Sequence, residues 1–224
     1  MKSRIELNPE YALLEVELST GEKLVSESGA MVGMDSHLKL TAQSRGGILK
    51  GLARKLLGGE SFFQSTFEAE TAPGKVYLAP GSPGDIFELT LPAGRSLMIQ
   101  SSAYLASTPE VNLDTKWGGA KGFFSGAGLF LLKATGPGKI WFNSFGAMAT
   151  EAVSGAFVVD TGHIVAFDET LNYSISKVGG LKGLLFSGEG LVARFSGTGN
   201  VYIQTRNPAS FAAFLNPFRP VKND

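Results

Sequence analysis

Apolar and polar residues alternate with a period of two along most of this chain. Leu14, Val16 and Leu18 interleave with Glu15 and Glu17, Leu38 and Leu40 with His37 and Lys39, and Val111 and Leu113 with Asn112 and Asp114. That period puts one set of side chains on a buried face and the other in water, which predicts short, half-buried β-strands. Twenty-nine glycines punctuate these runs, often as Gly-Gly or Gly-X-Gly, and predict many tight turns. Helical patterning is confined to two places: an insertion at Leu52–Glu60, and NPASFAAFL near the C-terminus. In the latter, Asn207 can cap and Pro208 suits the first helical position.

The strand pattern is written three times. HLKLTAQSRGGILKG (His37–Gly51), EVNLDTKWGGAKG (Glu110–Gly122) and TLNYSISKVGGLKG (Thr170–Gly183) each run from an alternating segment through Gly-Gly to Lys-Gly. Upstream, VELSTGEKLVSESGAMV and LTLPAGRSLMIQSSAYL are strand, glycine turn and strand, and TEAVSGAFVVDTGHIV is a weaker third copy. Downstream, PGKVYLAP, PGKIWFNS and TGNVYIQT each place a glycine before a β-branched residue and an aromatic one. Anchored on Gly74, Gly138 and Gly199, the copies are spaced by 64 and 61 residues. A self-similar period of this size fixes architecture. The expectation is an all-β domain over residues 1–207, of three tandem units (about 1–82, 83–144 and 145–207). Residues 208–224 form a short helix and tail. One unit cannot easily cover its own strand edges, whereas three can pair edge to edge around a pseudo-threefold axis.

Composition narrows the function classes. Twenty basic residues balance twenty acidic ones, so there is no global field to attract nucleic acid. The absence of cysteine excludes disulfides and thiolate metal sites and fits a reducing compartment. The N-terminal MKSRIELNPEYALLEVEL lacks a signal-peptide pattern, and a charge-free run such as GFFSGAGLFLL has only 11 residues. A bilayer span needs roughly 18. The reading is a cytoplasmic protein, soluble or peripheral to a membrane.

GGILKGLARKLLGGESFF (Gly46–Phe63), GGAKGFFSGAGL, GGLKGLLFSGEGL and the three Gly-[Lys/Asn]-[Val/Ile]-[Tyr/Trp] strands resemble the altered-inheritance-of-mitochondria twenty-four family. The resemblance covers roughly residues 1–207. It implies stacked β-sheet units of the double-stranded β-helix kind, like those of the tryptophan-RNA-binding attenuation protein, and a homo-oligomer. It supplies no catalytic residues. Fungal relatives are associated with mitochondrial inner-membrane organisation, and prokaryotic relatives have no settled activity. The N-terminus here does not look like a mitochondrial presequence.

Candidate chemistry is sparse. His37 and His163 are the two histidines, and no cysteine or closely spaced carboxylate accompanies them, so surface or turn roles fit better than a base or metal site. Asp35, Asp114 and Asp168 occupy comparable parts of the units and read as turn residues. The expectation is no enzyme, no cofactor and no metal. Tyr77, Trp141 and Tyr202 could stack on bases, but aromatics repeated at one strand position are more often core.

What remains is a surface. After each Gly-Gly comes Lys-Gly and then bulky apolar residues: Lys50 with Leu52 and Leu56, Lys121 with Phe123 and Phe124, Lys182 with Leu184 and Leu185. With Arg54 and Lys55, the first copy is a short basic amphipathic segment of the type that lies in a membrane interface. These eleven residues are the expected docking surface for an anionic membrane or a protein partner. The competing reading has them plug the end of the β-structure or pack between subunits. The leading function is a non-enzymatic scaffold; the alternative is a regulator that binds nucleic acid or a small ligand.

Overall fold

The structure, a computed structural model, describes residues 1–44, 63–114, 123–124, 129–177 and 191–219. Strands β1 (Lys2–Glu6), β2 (Leu13–Leu18), β3 (Lys23–Glu27), β4 (Met31–Met34), β5 (Lys39–Ser44), β6 (Phe63–Glu68) and β7 (Gly74–Leu78) come first. Then come β8 (Ile86–Leu91), β9 (Ser96–Gln100), β10 (Tyr104–Ser107), β11 (Asn112–Asp114), β12 (Phe123–Phe124), β13 (Leu129–Thr135) and β14 (Gly138–Asn143). The last strands are β15 (Met148–Asp160), β16 (Ile164–Asp168), β17 (Asn172–Lys177) and β18 (Leu191–Gln204), followed by helix α1 (Pro208–Leu215). The described residues are thus mostly β, with one short α-helix near the C-terminus. Asn207 caps α1 as expected, its side-chain oxygen accepting from the Ala209 N–H at 2.9 Å.

The strands form three sheets, ordered β1-β2-β7-β4, β5-β6-β3-β10-β14-β8 and β11-β13-β9-β16-β18-β15; β12 joins β13, and β17 joins β18. All named ladders are antiparallel. β2 pairs β7, β8 pairs β14, and Met148–Val153 of β15 pairs Gly199–Gln204 of β18. β3 pairs β6, β9 pairs β13, and the second half of β15 pairs the first half of β18. β4 on β7, β10 on β14 and β16 on β18 each skip one residue, at Val32, Leu105 and Val165. Such bulges sharpen twist and turn a side chain out of register.

Two ladders carry one group of strands into the next. β10 lies on β3 (Ala106 opposite Ser26, Ser107 opposite Val25), and β16 lies on β9 (Ala166 opposite Ile99, Phe167 opposite Met98). Among the described residues, β4 and β15 end their sheets, so the described ladders do not close the series into a ring.

The core follows the same succession. One cluster gathers Leu14, Val16, Leu24, Phe67 and Val76, and admits Leu105 and Trp141 from further along the chain. The second is built on Leu97, Ile99, Leu132 and Phe142 and admits Val165 and Tyr202; the third is built on Phe167, Leu171 and Phe195. Glycine stands where the loop after β4, β10 or β16 crosses the start of β7, the start of β14 or the middle of β18. A Cβ on Gly138 would sit 2.4 Å from Thr108 Oγ1 and 2.7 Å from Val111 Cγ2, at a φ of +140°. Gly74 and Gly199 meet Leu38 and Thr170 at 2.8 Å in the same way.

Candidate functional site

Alternation along β1, β2 and β7 sends Leu14, Val16 and Val76 into the core and leaves Arg4, Glu15, Glu17, Lys75 and Tyr77 on the opposite face. The charges on that face neutralise one another. Lys75 Nζ reaches Glu15 Oε1 at 2.8 Å and Glu17 Oε1 at 3.2 Å, and Arg4 Nη2 lies 3.2 Å from Glu15 Oε2 and 3.0 Å from Glu6 Oε1. The hydrogen bond from Lys75, assisted by Arg4, holds the Glu15 carboxyl below its ordinary range, and Glu15 in turn raises Lys75. A shallow depression of about 360 Å³ lies among Lys2, Ser3, Arg4, Glu15, Glu17 and Lys75. Carboxylates held ionised and cations held protonated make a poor proton-transfer pair at neutral pH and a good polar recognition surface.

The corresponding place on β8 and β14 is covered. Glu88 stands opposite Trp141 as Glu15 stands opposite Tyr77. Its carboxylate accepts from Trp141 Nε1 at 2.9 Å, from Lys139 Nζ at 2.7 Å and from Ser3 Oγ. Burial pushes the Glu88 carboxyl up, and these three hydrogen bonds overcome that, leaving it below its ordinary value. Trp141 and Tyr202 are buried, whereas Tyr77 is half-exposed.

Of the residues expected at turns, His37 lies in one and Asp35 just before it, whereas His163 ends a short 3-10 helix and Asp114 and Asp168 are the last residues of β11 and β16. His37 Nε2 bonds the Pro73 carbonyl at 2.9 Å and His163 Nδ1 the Gln204 carbonyl at 2.7 Å. Asp35 accepts from the Lys75 N–H at 2.8 Å and Asp168 from the Asn200 N–H at 2.9 Å. Thr108, not Asp114, takes that place in the middle of the chain, accepting from the Lys139 N–H at 3.2 Å. Among the described residues, no group of three or more His, Asp or Glu side chains is placed to hold a metal ion.

Of the expected docking residues, Lys50, Leu52, Arg54, Lys55, Leu56, Lys121, Lys182, Leu184 and Leu185 lie outside the described residues. Phe123 and Phe124 form β12, opposite Phe130 and Leu129 of β13. The elements that flank the three segments are described. Residues 45–62 join β5 to β6, 115–128 join β11 to β13 by way of β12, and 178–190 join β17 to β18; each strand so joined is paired with its mate.

Sequence reasoning missed the Arg4–Glu15–Lys75 face, because its partners come from three strands and meet only through register. It also missed the exposed phenylalanines of the C-terminal segment: Phe211, Phe214 and Phe218 run along α1 and the turn after it, and Phe211 packs on Phe145. Among the described residues, no helix is long and apolar enough to cross a membrane.

Comparison with known proteins places this architecture. The family described as mitochondrial biogenesis AIM24 matches residues 3–206. An uncharacterized protein of Streptococcus pyogenes serotype M6, M6_Spy0233, is 29% identical over 233 residues, covering 100% of this chain and 93% of that protein. The crystal structure of the Streptococcus pyogenes protein SPYM3_0169 superposes with a TM-score of 0.79 at 29% identity, covering 97% of this chain and 99% of that one.

Proposed function

We propose that this chain, which belongs to the AIM24 family, is a non-enzymatic scaffold of three six-stranded units whose Lys-Gly-apolar segments dock on an anionic membrane surface. The three-unit reading is supported by the ladders. Setting aside β1, which adds to β2, and β12, which adds to β13, strands β2–β7, β8–β14 and β15–β18 pair by one scheme, with β15 and β18 each serving as two strands in sequence. The unit boundaries near residues 82 and 144 fall between β7 and β8 and between β14 and β15.

One observation carries the docking reading: all three Lys-Gly-apolar segments occupy the same connection, between the fourth and fifth strands of a unit. A short sequence kept at one topological place in each unit would present its lysines and apolar tips together, as interfacial binding requires. The described surface supports a role without catalysis, since its charged groups are paired with one another and its histidines are tied to backbone carbonyls. Balanced charge and the burial of Trp141 and Tyr202 weigh against nucleic acid as the partner. The cysteine-free composition supports a cytoplasmic setting.

The test is co-sedimentation with neutral and anionic vesicles at two salt concentrations, using the native chain and a Lys50→Glu/Arg54→Glu/Lys55→Glu variant. Salt-sensitive binding to anionic vesicles, lost in the variant, is the expected result. No binding under any condition would sink the membrane reading.

A further inference from the structure

We propose that the chain assembles head to tail with a second copy of itself, the free edge of β15 in one copy pairing antiparallel with the free edge of β4 in the next. The inference uses the three-unit scheme and not the membrane reading, so failure of vesicle binding leaves it standing.

The argument starts from the two ladders that join successive units. In each, the second strand of one unit receives the third strand of the next: β3 receives β10, and β9 receives β16. Among the described residues, the same scheme makes β4 a third strand with no donor and Ala156–Asp160 of β15 a second strand with no acceptor, and both lie at sheet ends. An unpaired edge exposes a row of N–H and C=O groups that templates another strand.

Burial points the same way. Tyr104, Leu105, Ile164 and Val165, in the third strands of the later units, are 0 to 1% exposed, whereas their counterparts Met31 and Val32 in β4 are 42% and 62% exposed. On the complementary edge, Met98 of β9 is 1% exposed and its counterpart Val158 of β15 is 48% exposed. Leu105 and Val165, the bulged residues, enter the core of the preceding unit. Val32 is bulged in the same way but is exposed. The first unit's end therefore carries the knob and the third unit's end the socket of one repeated joint. Surfaces that differ yet complement each other give a heterologous contact, which propagates or closes according to its rotation.

Transferring the internal registers sets Met34 opposite Val158. The chain has no cysteine, so single cysteines report this contact without background. Directly opposed residues of an antiparallel pair fall about 4.5–5.5 Å apart at Cα, within disulfide reach. The experiment is mild oxidation of Met34→Cys alone, Val158→Cys alone, an equal mixture of the two, and the double variant. A covalent dimer in the mixture and not in either single variant is the expected result, with a ladder of higher oligomers from the double variant. The uncross-linked native chain should sediment above its 23.6 kDa monomer mass as concentration rises. Val158→Lys, an exposed change that keeps the melting temperature, should return it to monomer. Dimers from a single variant would show a symmetric contact, an internal cross-link in the double variant would show closure within one chain, and a monomer at every concentration would show that the edges stay free. Each of these overturns the proposal.

Discussion

Trp141→Phe tests whether the joint between the first two units rests on one buried side chain. Trp141 is 0% exposed, lies in the first core cluster, and donates Nε1–H to Glu88 Oε2 at 2.9 Å. Phenylalanine keeps the apolar contact nearest the backbone but removes the donor and part of the ring system. Losing a hydrogen bond to a charged acceptor costs about 1.5–3 kcal/mol, and the void left by the smaller ring adds roughly 1 kcal/mol. The expected loss is about 2–4 kcal/mol, a large share of the roughly 5–15 kcal/mol that holds a domain together. Urea denaturation of the intact chain measures it, read as a fall in midpoint at unchanged slope. A double-mutant cycle with Glu88→Gln should return a coupling of about 1 kcal/mol or more, because the two side chains touch. A loss below about 1 kcal/mol with no coupling to Glu88 would refute the reasoning, since the joint would then be held elsewhere.

Two further outcomes follow from particular groups. Gly138→Ala should destabilise by about 2–4 kcal/mol, since it meets both a left-handed φ and a side-chain clash. Gly21→Ala, at a φ of +86° with open space around the new Cβ, should cost only about 1 kcal/mol; equal shifts in melting temperature would show that the clash is relieved freely. Glu15, Glu88 and Glu169 all have carboxyls lowered from the ordinary 4.5, Glu169 chiefly by its hydrogen bond from Lys133. A lowered carboxyl contributes stability above its unfolded value and loses it as pH falls through the folded one. The melting temperature should therefore drop as pH is taken below about 4.5, and Glu88→Gln should flatten the drop; a profile flat into strong acid would contradict the assigned pairings.

The three glycines that anchor the sequence pattern have a steric role. Gly74, Gly138 and Gly199 stand where a loop crosses a strand too closely for a Cβ, so glycine recurs there even where the flanking residues differ. The strands were legible from alternation and α1 from Asn207-Pro208, both local signals. The stretch from residue 145 to 207 was harder to read. β15 and β18 run on through the paired Gly155 and Gly197, both at positive φ, whereas the chain turns after β2, β6, β8 and β13. A strand that continues through glycine looks in sequence much like one that stops at it. The Glu88–Trp141 bond and the exposure of β4 and β15 were not legible, because each depends on residues far apart in the chain and on which neighbour is present. The Lys-Gly-apolar segments stand out in the sequence only as a thrice-written pattern.

The seam between β3 and β10 has two opposed residue pairs, against six between β8 and β14, while Leu105 and Trp141 behind it are wholly buried. Its strength comes from apolar contact far more than from the ladder. Apolar contact weakens as water cools, so the seam has a thermal character of its own: chilling loosens the hold of β10 on β3 more than it loosens a long ladder such as β8 on β14.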